Sequence, residues 1–365
     1  MPNLEKIVVQ DYKNITLQEL SFSPNINCIT GNNGEGKTNL LDAIWYLSMT
    51  KSAFGVADRY HFRYGTDTFA LSGTYRMESG VTSKVALRVT SSGEKKLVRD
   101  DKPCPKLSAH IGSFPIVMVS PSDIALISES GEERRRFANA VLSQMDPAYL
   151  AGMMQYNRFL QQRNRMLRDG VVDPELFAVT DERLATLAGP LYEARARFAE
   201  DLKPVVASYY ESLSGGAESV SIEYRSDLAK GSLTELLAAT LERDRALHYT
   251  GAGLQRDEFL FTMNGHPIRR CGSQGQQKSF LVALKFAQYE IMKRSYGFPP
   301  MLLLDDVFDK LDLGRIGNLI AMVAGNDFGQ IFITDSDKDR LSRIVDGITD
   351  QYCYYIAENG TFTAR

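Results

Sequence analysis

The sequence predicts an α/β fold that carries an antiparallel β subdomain and an inserted helical arm. Apolar runs that suit buried strands, followed by helical patterns, lie near both ends of the chain. Between them, residues 68–75, 85–89 and 96–99 alternate apolar and polar positions, as antiparallel strands with one buried face do. Residues 146–213 are rich in long helix formers, so we expect helices there.

The chain is long enough, at 365 residues, for two or three units with cores of their own. We expect residues 1–125 to form the N-terminal part of an α/β head with the β subdomain. Residues 126–250 are expected to form the helical arm, and residues 251–365 the C-terminal part of the head. Within the arm, the Asp173-Pro174 and Ser214-Gly215-Gly216 stretches predict breaks between helices.

Composition excludes several classes of protein. A hydrophobic content of 44% with 24% charged residues is ordinary for a globular chain and does not indicate disorder. A formal net charge of −3 means that any nucleic-acid contact must come from a local basic face. No segment has the apolar length that crosses a bilayer, so we expect a cytoplasmic protein without a membrane partner. The cysteines are too far apart for a zinc site or a disulfide framework: Cys28, Cys104, Cys271 and Cys353.

The first functional motif lies between a predicted strand at 26–30 and a predicted helix at 39–49. It has the pattern of a glycine, four residues and then Gly-Lys-Thr, which is typical of a P-loop. Its residues are Gly31, Asn32, Asn33, Gly34, Glu35, Gly36, Lys37 and Thr38. Main-chain N–H groups of such a loop face phosphate oxygens, and the helix dipole adds to that field. We expect Lys37 to reach the β- and γ-phosphates of a nucleotide and Thr38 to place its hydroxyl on Mg²⁺.

A second motif ends the apolar run 300–304, which predicts a buried strand followed by Asp305 and Asp306. Both acids are expected at the carboxyl end of the strand, where α/β proteins place their chemistry. Asp305 is the candidate Mg²⁺ ligand opposite Thr38, and Asp306 is the candidate general base that orients the attacking water. The alternative is a strand that simply ends in solvated acids.

A third motif opens a predicted helix that runs to about Lys293. Its candidate ligand residues are Ser273, Gln274, Gly275 and Gln276. A hydroxyl and exposed N–H groups at a helix N-terminus suit an anion. Since the P-loop already wraps one side of the nucleotide, we expect this end to grip the γ-phosphate bound by a second copy of the chain. The alternative is an ordinary capped helix.

Together these motifs resemble the ATP-binding-cassette (ABC) ATPases of the SMC branch, and in particular bacterial DNA-repair members of that branch. The resemblance is dispersed over nearly the whole chain, at residues 31–44, 120–123, 134–137, 162–164, 256–258, 273–277 and 302–308. It implies an ABC-type ATPase head in which residues 31–38 are the Walker A loop, Asp305 and Asp306 the Walker B acids, and residues 273–277 the signature motif. It also implies a D-loop at Asp309 to Asp312 and a switch residue at Thr334.

The resemblance implies that ATP and Mg²⁺ are the cofactors and that ATP drives formation of a homodimer. The implied partners are duplex DNA or single-strand/duplex junctions, the mediators RecO and RecR, and indirectly the RecA recombinase. Fast ATPases of this architecture usually have glutamate where this chain has Asp306, so we expect slow hydrolysis that works as a timer. Candidates for the DNA-contacting face are Arg134, Arg135, Arg136, Arg163 and Arg165, unless these arginines are solvated or paired with acids.

Two alternatives from other classes are the ATPase subunit of a membrane transporter and a P-loop kinase of small substrates. The arginine-rich arm, and the lack of a convincing Q-loop glutamine near Val119, count against the transporter. The signature helix counts against the kinase. The helical region is too short for a structural tether built on a long coiled coil.

Overall fold

The structure is a computed structural model, and it describes residues 1–129, 131–216, 218–308, 328–337, 340–341 and 352–365. By packing, the chain forms two compact units. Unit 1 consists of Met1–Asp123, Ser212–Ser214 and Lys285–Arg365, and unit 2 consists of Ile124–Glu211 and Gly215–Leu284. Among the described helices, none has the length and apolar character needed to cross a membrane.

The described residues form strands and α-helices in the following order. The strands are β1 (Asn3–Tyr12), β2 (Ile15–Ser21), β3 (Ile26–Thr30), β4 (Thr68–Arg76), β5 (Thr82–Thr90), β6 (Lys95–Arg99), β7 (Lys102–Pro103), β8 (Ile116–Val119), β9 (Val220–Arg225), β10 (Glu258–Met263), β11 (His266–Pro267), β12 (Met301–Asp305), β13 (Ile331–Asp335), β14 (Tyr352–Glu358) and β15 (Thr361–Ala364). The helices are α1 (Lys37–Met49), α2 (Ala125–Ser128), α3 (Gly131–Met145), α4 (Pro147–Arg168), α5 (Pro174–Ser214), α6 (Leu233–Leu247), α7 (Ile268–Cys271) and α8 (Gln274–Tyr296).

One six-stranded sheet of unit 1 has the order β15-β14-β3-β13-β12-β8. All its pairs are parallel except the antiparallel pair of β14 with β15. Strands β3, β8, β12 and β13 are buried along their whole lengths, which is why they read as continuous apolar runs. Because β3, β13 and β12 are neighbours and parallel, their carboxyl ends lie side by side at one edge of the sheet.

The second sheet of unit 1 is antiparallel, in the order β2-β1-β4-β5-β6-β7. Strands β4 and β5 alternate buried and less buried positions, and the buried face shares one apolar cluster with α1. Leu71, Leu87 and Ile44 belong to that cluster. The antiparallel β subdomain expected over residues 68–99 is therefore confirmed, with β1 and β2 as additional strands.

Unit 2 contains the long helices α3, α4 and α6, most of α5, and a small antiparallel sheet in the order β11-β10-β9. Helices α4 and α5 both begin with a proline that follows a capping aspartate, Asp146 and Asp173 respectively. Helix α5 extends over 41 residues and ends before Gly215, whose φ of 77° suits a helix C-terminus. Both breaks predicted within the arm are confirmed.

The division into units differs from the expected segments at the second boundary. Unit 2 begins at Ile124, close to the expected residue 126, but it ends at Leu284 instead of residue 250. The cause is strand pairing, since β10 pairs with β9 along its full length, from Glu258 with Arg225 to Met263 with Val220. Residues 251–284, which were expected in the head, therefore pack with the helices.

Candidate functional site

The glycine loop joins β3 to α1 and has the geometry that its glycines allow. Gly34 and Gly36 have φ values of 88° and 105°, in the left-handed region that favours glycine. A Cβ added to Gly31 would lie 2.4 Å from the carbonyl oxygen of Ala357, so this glycine permits a close approach of two main chains. Asn32, Asn33 and Gly34 are exposed at the tip, whereas Glu35 is half-buried and its carboxylate accepts a hydrogen bond from the N–H of Asn359.

Lys37 is buried at the first position of α1, and its ammonium group lies inside the curve of the loop. Its Nζ atom donates to the carbonyl oxygens of Gly31 at 2.7 Å and of Asn32 at 3.1 Å. The ammonium group thus lies against carbonyl oxygens of the loop whose main-chain N–H groups are expected to face the phosphates. This placement agrees with the predicted nucleotide loop.

Thr38 and Asp305 meet, as the sequence predicts for a Mg²⁺ site. The Thr38 hydroxyl donates to the Asp305 carboxylate at 2.9 Å and 3.0 Å from its two oxygens. Burial raises the pKa of Asp305; the hydrogen bonds from Thr334 and Thr38 oppose that rise, and nearby Asp306 adds to it. A hydroxyl and a desolvated carboxylate in contact are the hard oxygen donors that Mg²⁺ prefers, so these residues fit the cation.

Thr334, at the carboxyl end of β13, contacts both Asp305, the last residue of β12, and Asp306, which follows it. Its hydroxyl donates to Asp305 Oδ1 at 2.7 Å and accepts a hydrogen bond from the N–H of Asp306 at 3.0 Å. Asp306 itself has a φ of 44°, which is uncommon for a residue other than glycine. Thr334, the predicted switch residue, therefore fixes the main chain at the candidate base. The D-loop expected at residues 309–312 lies outside the described residues.

The predicted signature residues form a capped helix N-terminus in unit 2. The N–H of Ser273 donates to Gln276 Oε1 at 2.7 Å, and the N–H of Gln276 donates to Ser273 Oγ at 3.3 Å. This reciprocal pair is a capping box. Gln276 Nε2 also donates to Glu218 at 2.6 Å. Ser273 and Gln274 are exposed and Gly275 is half-buried, so the end of α8 is both capped and accessible.

Arg163 was wrong as a candidate for the DNA-contacting face. Its side chain is completely buried, and it pairs with Asp181 and Asp244 at 2.7 Å each. Sequence reasoning missed this because an arginine on a helix does not reveal which face of that helix is buried. Arg163 is therefore a structural residue of unit 2.

The other arginine candidates differ in exposure. Arg134 is buried and pairs with Glu258 at 3.3 Å, so it too was wrong as a surface candidate. Arg135 donates to a main-chain oxygen at 2.7 Å and lies 3.9 Å from the same glutamate. Arg136 is exposed but pairs with two glutamates of its own helix. The Arg165 side chain is 79% exposed, which makes it the most accessible of the five.

Sequence reasoning also missed Asp42, a completely buried carboxylate on α1. It accepts hydrogen bonds from Tyr12 and Lys13 at 2.7 Å each, and from Ser52 and the N–H of Ala53. The side chain thus links the β1–β2 turn and the segment after α1 to the P-loop helix. Its only signal in the sequence was an acid between apolar residues of a helix, which is not specific.

Fold and site together define the class of this protein: it is an ABC-type P-loop ATPase head. The family model of the RecF/RecN/SMC N-terminal domain matches residues 3–352. The chain is 42% identical over 358 residues to the DNA replication and repair protein RecF of Porphyromonas gingivalis, covering 98% of each. It is 40% identical over 358 residues to the RecF protein of Bacteroides fragilis, covering 98% of this chain and 97% of that one. The chain therefore belongs to the RecF/RecN/SMC N-terminal domain family, and within it to the RecF proteins of DNA replication and repair.

Solved structures agree with this assignment. A structure titled as the recombination mediator protein RecF-ATP in the RecFOR pathway has a TM-score of 0.90 and 27% identity, covering 100% of this chain and 98% of that one. An Smc head domain derived from Pyrococcus furiosus has a TM-score of 0.59 at 14% identity, covering 100% of this chain and 96% of that one, and shows a shared fold. The comparisons support the repair interpretation and not the transporter alternative.

Proposed function

We propose that this chain is an ATP-controlled DNA-binding protein of recombinational repair, with residues 31–38 as its phosphate loop. The observation that carries the proposal is the contact between Thr38 and Asp305 beside the loop. Lys37 would meet the β- and γ-phosphates, and Thr38 and Asp305 would hold Mg²⁺. Mg²⁺, when bound, neutralises charge on the phosphate oxygens. The relative whose structure is titled RecF-ATP supports the choice of nucleotide.

Hydrolysis is assigned to Asp306, which would accept a proton from the attacking water. The N–H of Asp306 donates a hydrogen bond to the Thr334 hydroxyl at 3.0 Å, which fixes the main chain from which the carboxylate extends. An aspartate reaches one methylene less far than a glutamate from the same position. The water would be held less well, hydrolysis would be slow, and ATP would act mainly as a switch.

Dimerisation is assigned to the end of α8. Ser273 and Gln274 are exposed, and the hydroxyl with the N–H groups that follow it can bind an anion. The γ-phosphate held by the P-loop of a second copy would be that anion, so that ATP joins two heads. Gly275 and Gln276 complete the contact in this proposal.

The proposed partners are duplex DNA or single-strand/duplex junctions, RecR and RecO, and RecA indirectly. The similar solved structures of the recombination mediator protein RecF in the RecFOR pathway support this choice. With a net charge of −3, DNA binding has to rely on local basic groups of two chains acting together.

The test measures self-association by sedimentation with ATP, ADP and no nucleotide, with and without gapped DNA. Wild type should dimerise with ATP only. Lys37→Met should stay monomeric because the phosphate charge loses its partner. Ser273→Arg should still bind ATP as a monomer but should not dimerise, because the new side chain fills the anion site.

Ser232→Arg is the matched control, since Ser232 is an exposed serine that forms the capping box of α6 in the same unit. This control should dimerise as wild type does. If Ser273→Arg dimerises with ATP, the end of α8 is merely capped and the dimer proposal fails. If Lys37→Met keeps the response to ATP, the nucleotide site itself is wrongly assigned.

A further inference from the structure

The segment between α1 and β4 exposes two tyrosine side chains. Tyr60 is 62% exposed and Tyr64 is 102% exposed, as open as in an extended peptide. They lie four positions apart, so their Cα atoms are within about 14 Å of each other. Two exposed aromatic rings this close together need an explanation, because burying an aromatic ring removes a large apolar surface from water and neither ring is buried here.

The segment that carries these tyrosines is anchored from its inner side. His61, between them, is buried and packs on the ring of Tyr12, with 5.6 Å between centroids. Asp58 accepts a hydrogen bond from Tyr46 at 2.6 Å and pairs with Lys95 at 2.8 Å. Inward residues thus fix the main chain while the tyrosines point away from it. The main chain that carries the exposed rings is therefore fixed before any ligand arrives.

Arginines alternate with the exposed tyrosines. The Arg59 guanidinium lies 4.8 Å from the centroid of the Tyr60 ring, and no carboxylate among the described residues is within ion-pair distance of it. Arg63 pairs with Asp11 at 3.3 Å, yet its side chain remains 42% exposed. Arg59, Tyr60, Arg63 and Tyr64 form what we call the tyrosine–arginine surface.

We propose that the tyrosine–arginine surface binds unpaired nucleotides, with Tyr60 and Tyr64 stacking on bases and the two arginines contacting phosphates. Exposed rings interleaved with cations suit single strands, because every base has a flat face to stack and every nucleotide carries a charge. Bases inside a duplex are already stacked and offer no such face. The surface would therefore select the single-stranded part of a gap, whereas duplex is bound elsewhere. The inference rests on the DNA binding proposed above.

The experiment compares wild type with the Tyr60→Ala/Tyr64→Ala double variant, in the presence of ATP. Each protein is titrated with blunt duplex and with a gapped duplex carrying 2-aminopurine in the gap. The alanine variant should bind gapped DNA at least about 10-fold more weakly, since stacking contributes roughly 1–3 kcal/mol per base. It should bind blunt duplex as wild type does, and the fluorescence change of 2-aminopurine on binding should be lost.

Two control variants test whether loss of these aromatic rings causes the weaker binding of gapped DNA. Tyr60→Phe/Tyr64→Phe keeps the rings and should keep both gapped binding and the fluorescence change. Tyr352→Ala removes another exposed tyrosine of unit 1, 41% exposed on β14, and should leave both substrates unaffected.

The outcomes separate this inference from the proposed function. Wild type that binds no DNA with ATP would refute the proposed function and this inference with it. Wild type that binds gapped and blunt DNA equally, or an alanine variant that keeps gapped binding, would overturn this inference alone. Equal loss on both substrates would also overturn it, because the surface would then bind duplex.

Discussion

At the scale of single residues, one hydroxyl sets the geometry of both candidate acids. Thr334 donates to Asp305 and accepts from the N–H of Asp306, so it fixes a carboxylate and a main-chain position together. Hydrogen bonds to an ionised carboxylate are stronger than neutral ones. Thr334 lies on the strand next to β12, and no pattern within the Walker B run could have predicted its contacts.

Residue chemistry also predicts how stability depends on pH, through His110. Its Nε2 atom lies 2.7 Å from the carbonyl oxygen of Leu47, so Nε2 must carry the proton and donate it. The other ring nitrogen has no hydrogen-bond partner among the described residues. Burial lowers the pKa of His110, and the charge of Arg99 lowers it further. A second proton would place a charged, unpartnered N–H group in the core.

Because the pKa of His110 is lower in the folded protein than its usual 6.5, the folded state takes up fewer protons than the unfolded state below that pH. The free energy of unfolding should therefore fall as pH falls through 6.5. His61, also buried with a lowered pKa, should add to the slope. His110→Gln, whose amide can still donate to Leu47, should reduce it by up to about 1.4 kcal/mol per pH unit.

The measurement is denaturant unfolding at several pH values between about 5 and 7.5, set around the usual pKa of histidine. His266→Gln is the control, because His266 is exposed on β11. An unchanged slope in His110→Gln would show that another group causes the pH dependence.

At the scale of elements, the sequence predicts what is local and misses what depends on pairing. The strand, loop and helix around Lys37 follow from adjacent residues, and the start of α5 follows from Asp173 and Pro174. The pairing of β9 with β10 joins residues more than thirty positions apart, and nothing in the sequence of either strand indicates which strand it pairs with. The second unit boundary was misplaced for that reason.

A prediction for the elements of unit 2 concerns Arg163, which joins three of them. The side chain on α4 pairs with Asp181 on α5 and with Asp244 on α6. Arg163→Met should leave both carboxylates without their cation inside the unit. Removing one partner of a buried ion pair costs roughly 3–5 kcal/mol. Hydrogen exchange of amides in α4 and α6 should accelerate accordingly.

Arg165→Met is the matched control, because Arg165 lies on the same helix as Arg163 and its side chain is exposed. It should change stability by less than about 0.5 kcal/mol. Adding Asp244→Leu to Arg163→Met should restore part of the protection, since one unpaired carboxylate is then removed. If Arg163→Met keeps wild-type exchange, the buried pairs do not hold the helices together.

At the scale of the whole molecule, the proposed ATP-driven dimer requires ATP to remain bound and unhydrolysed long enough for two copies of the chain to act on DNA. Dimer lifetime then depends on hydrolysis, and the candidate base is Asp306. Asp306→Asn removes the proton acceptor while keeping the size of the side chain. Asparagine also tolerates the left-handed conformation that Asp306 adopts at φ 44°, so the main chain and its bond to Thr334 should survive.

We therefore expect Asp306→Asn to bind ATP as wild type does, to lose turnover by about 100-fold or more, and to stay dimeric on DNA far longer. Turnover is measured as phosphate release, and dimer lifetime by dilution of a preformed dimer into ADP. Asp101→Asn is the control, because Asp101 is an exposed aspartate with a φ of 61° in the β subdomain. Wild-type turnover in Asp306→Asn would exclude Asp306 as the base. Lost turnover with an unchanged dimer lifetime would instead show that hydrolysis does not time the dimer, and that another event, such as transfer of DNA to a partner, separates the two heads.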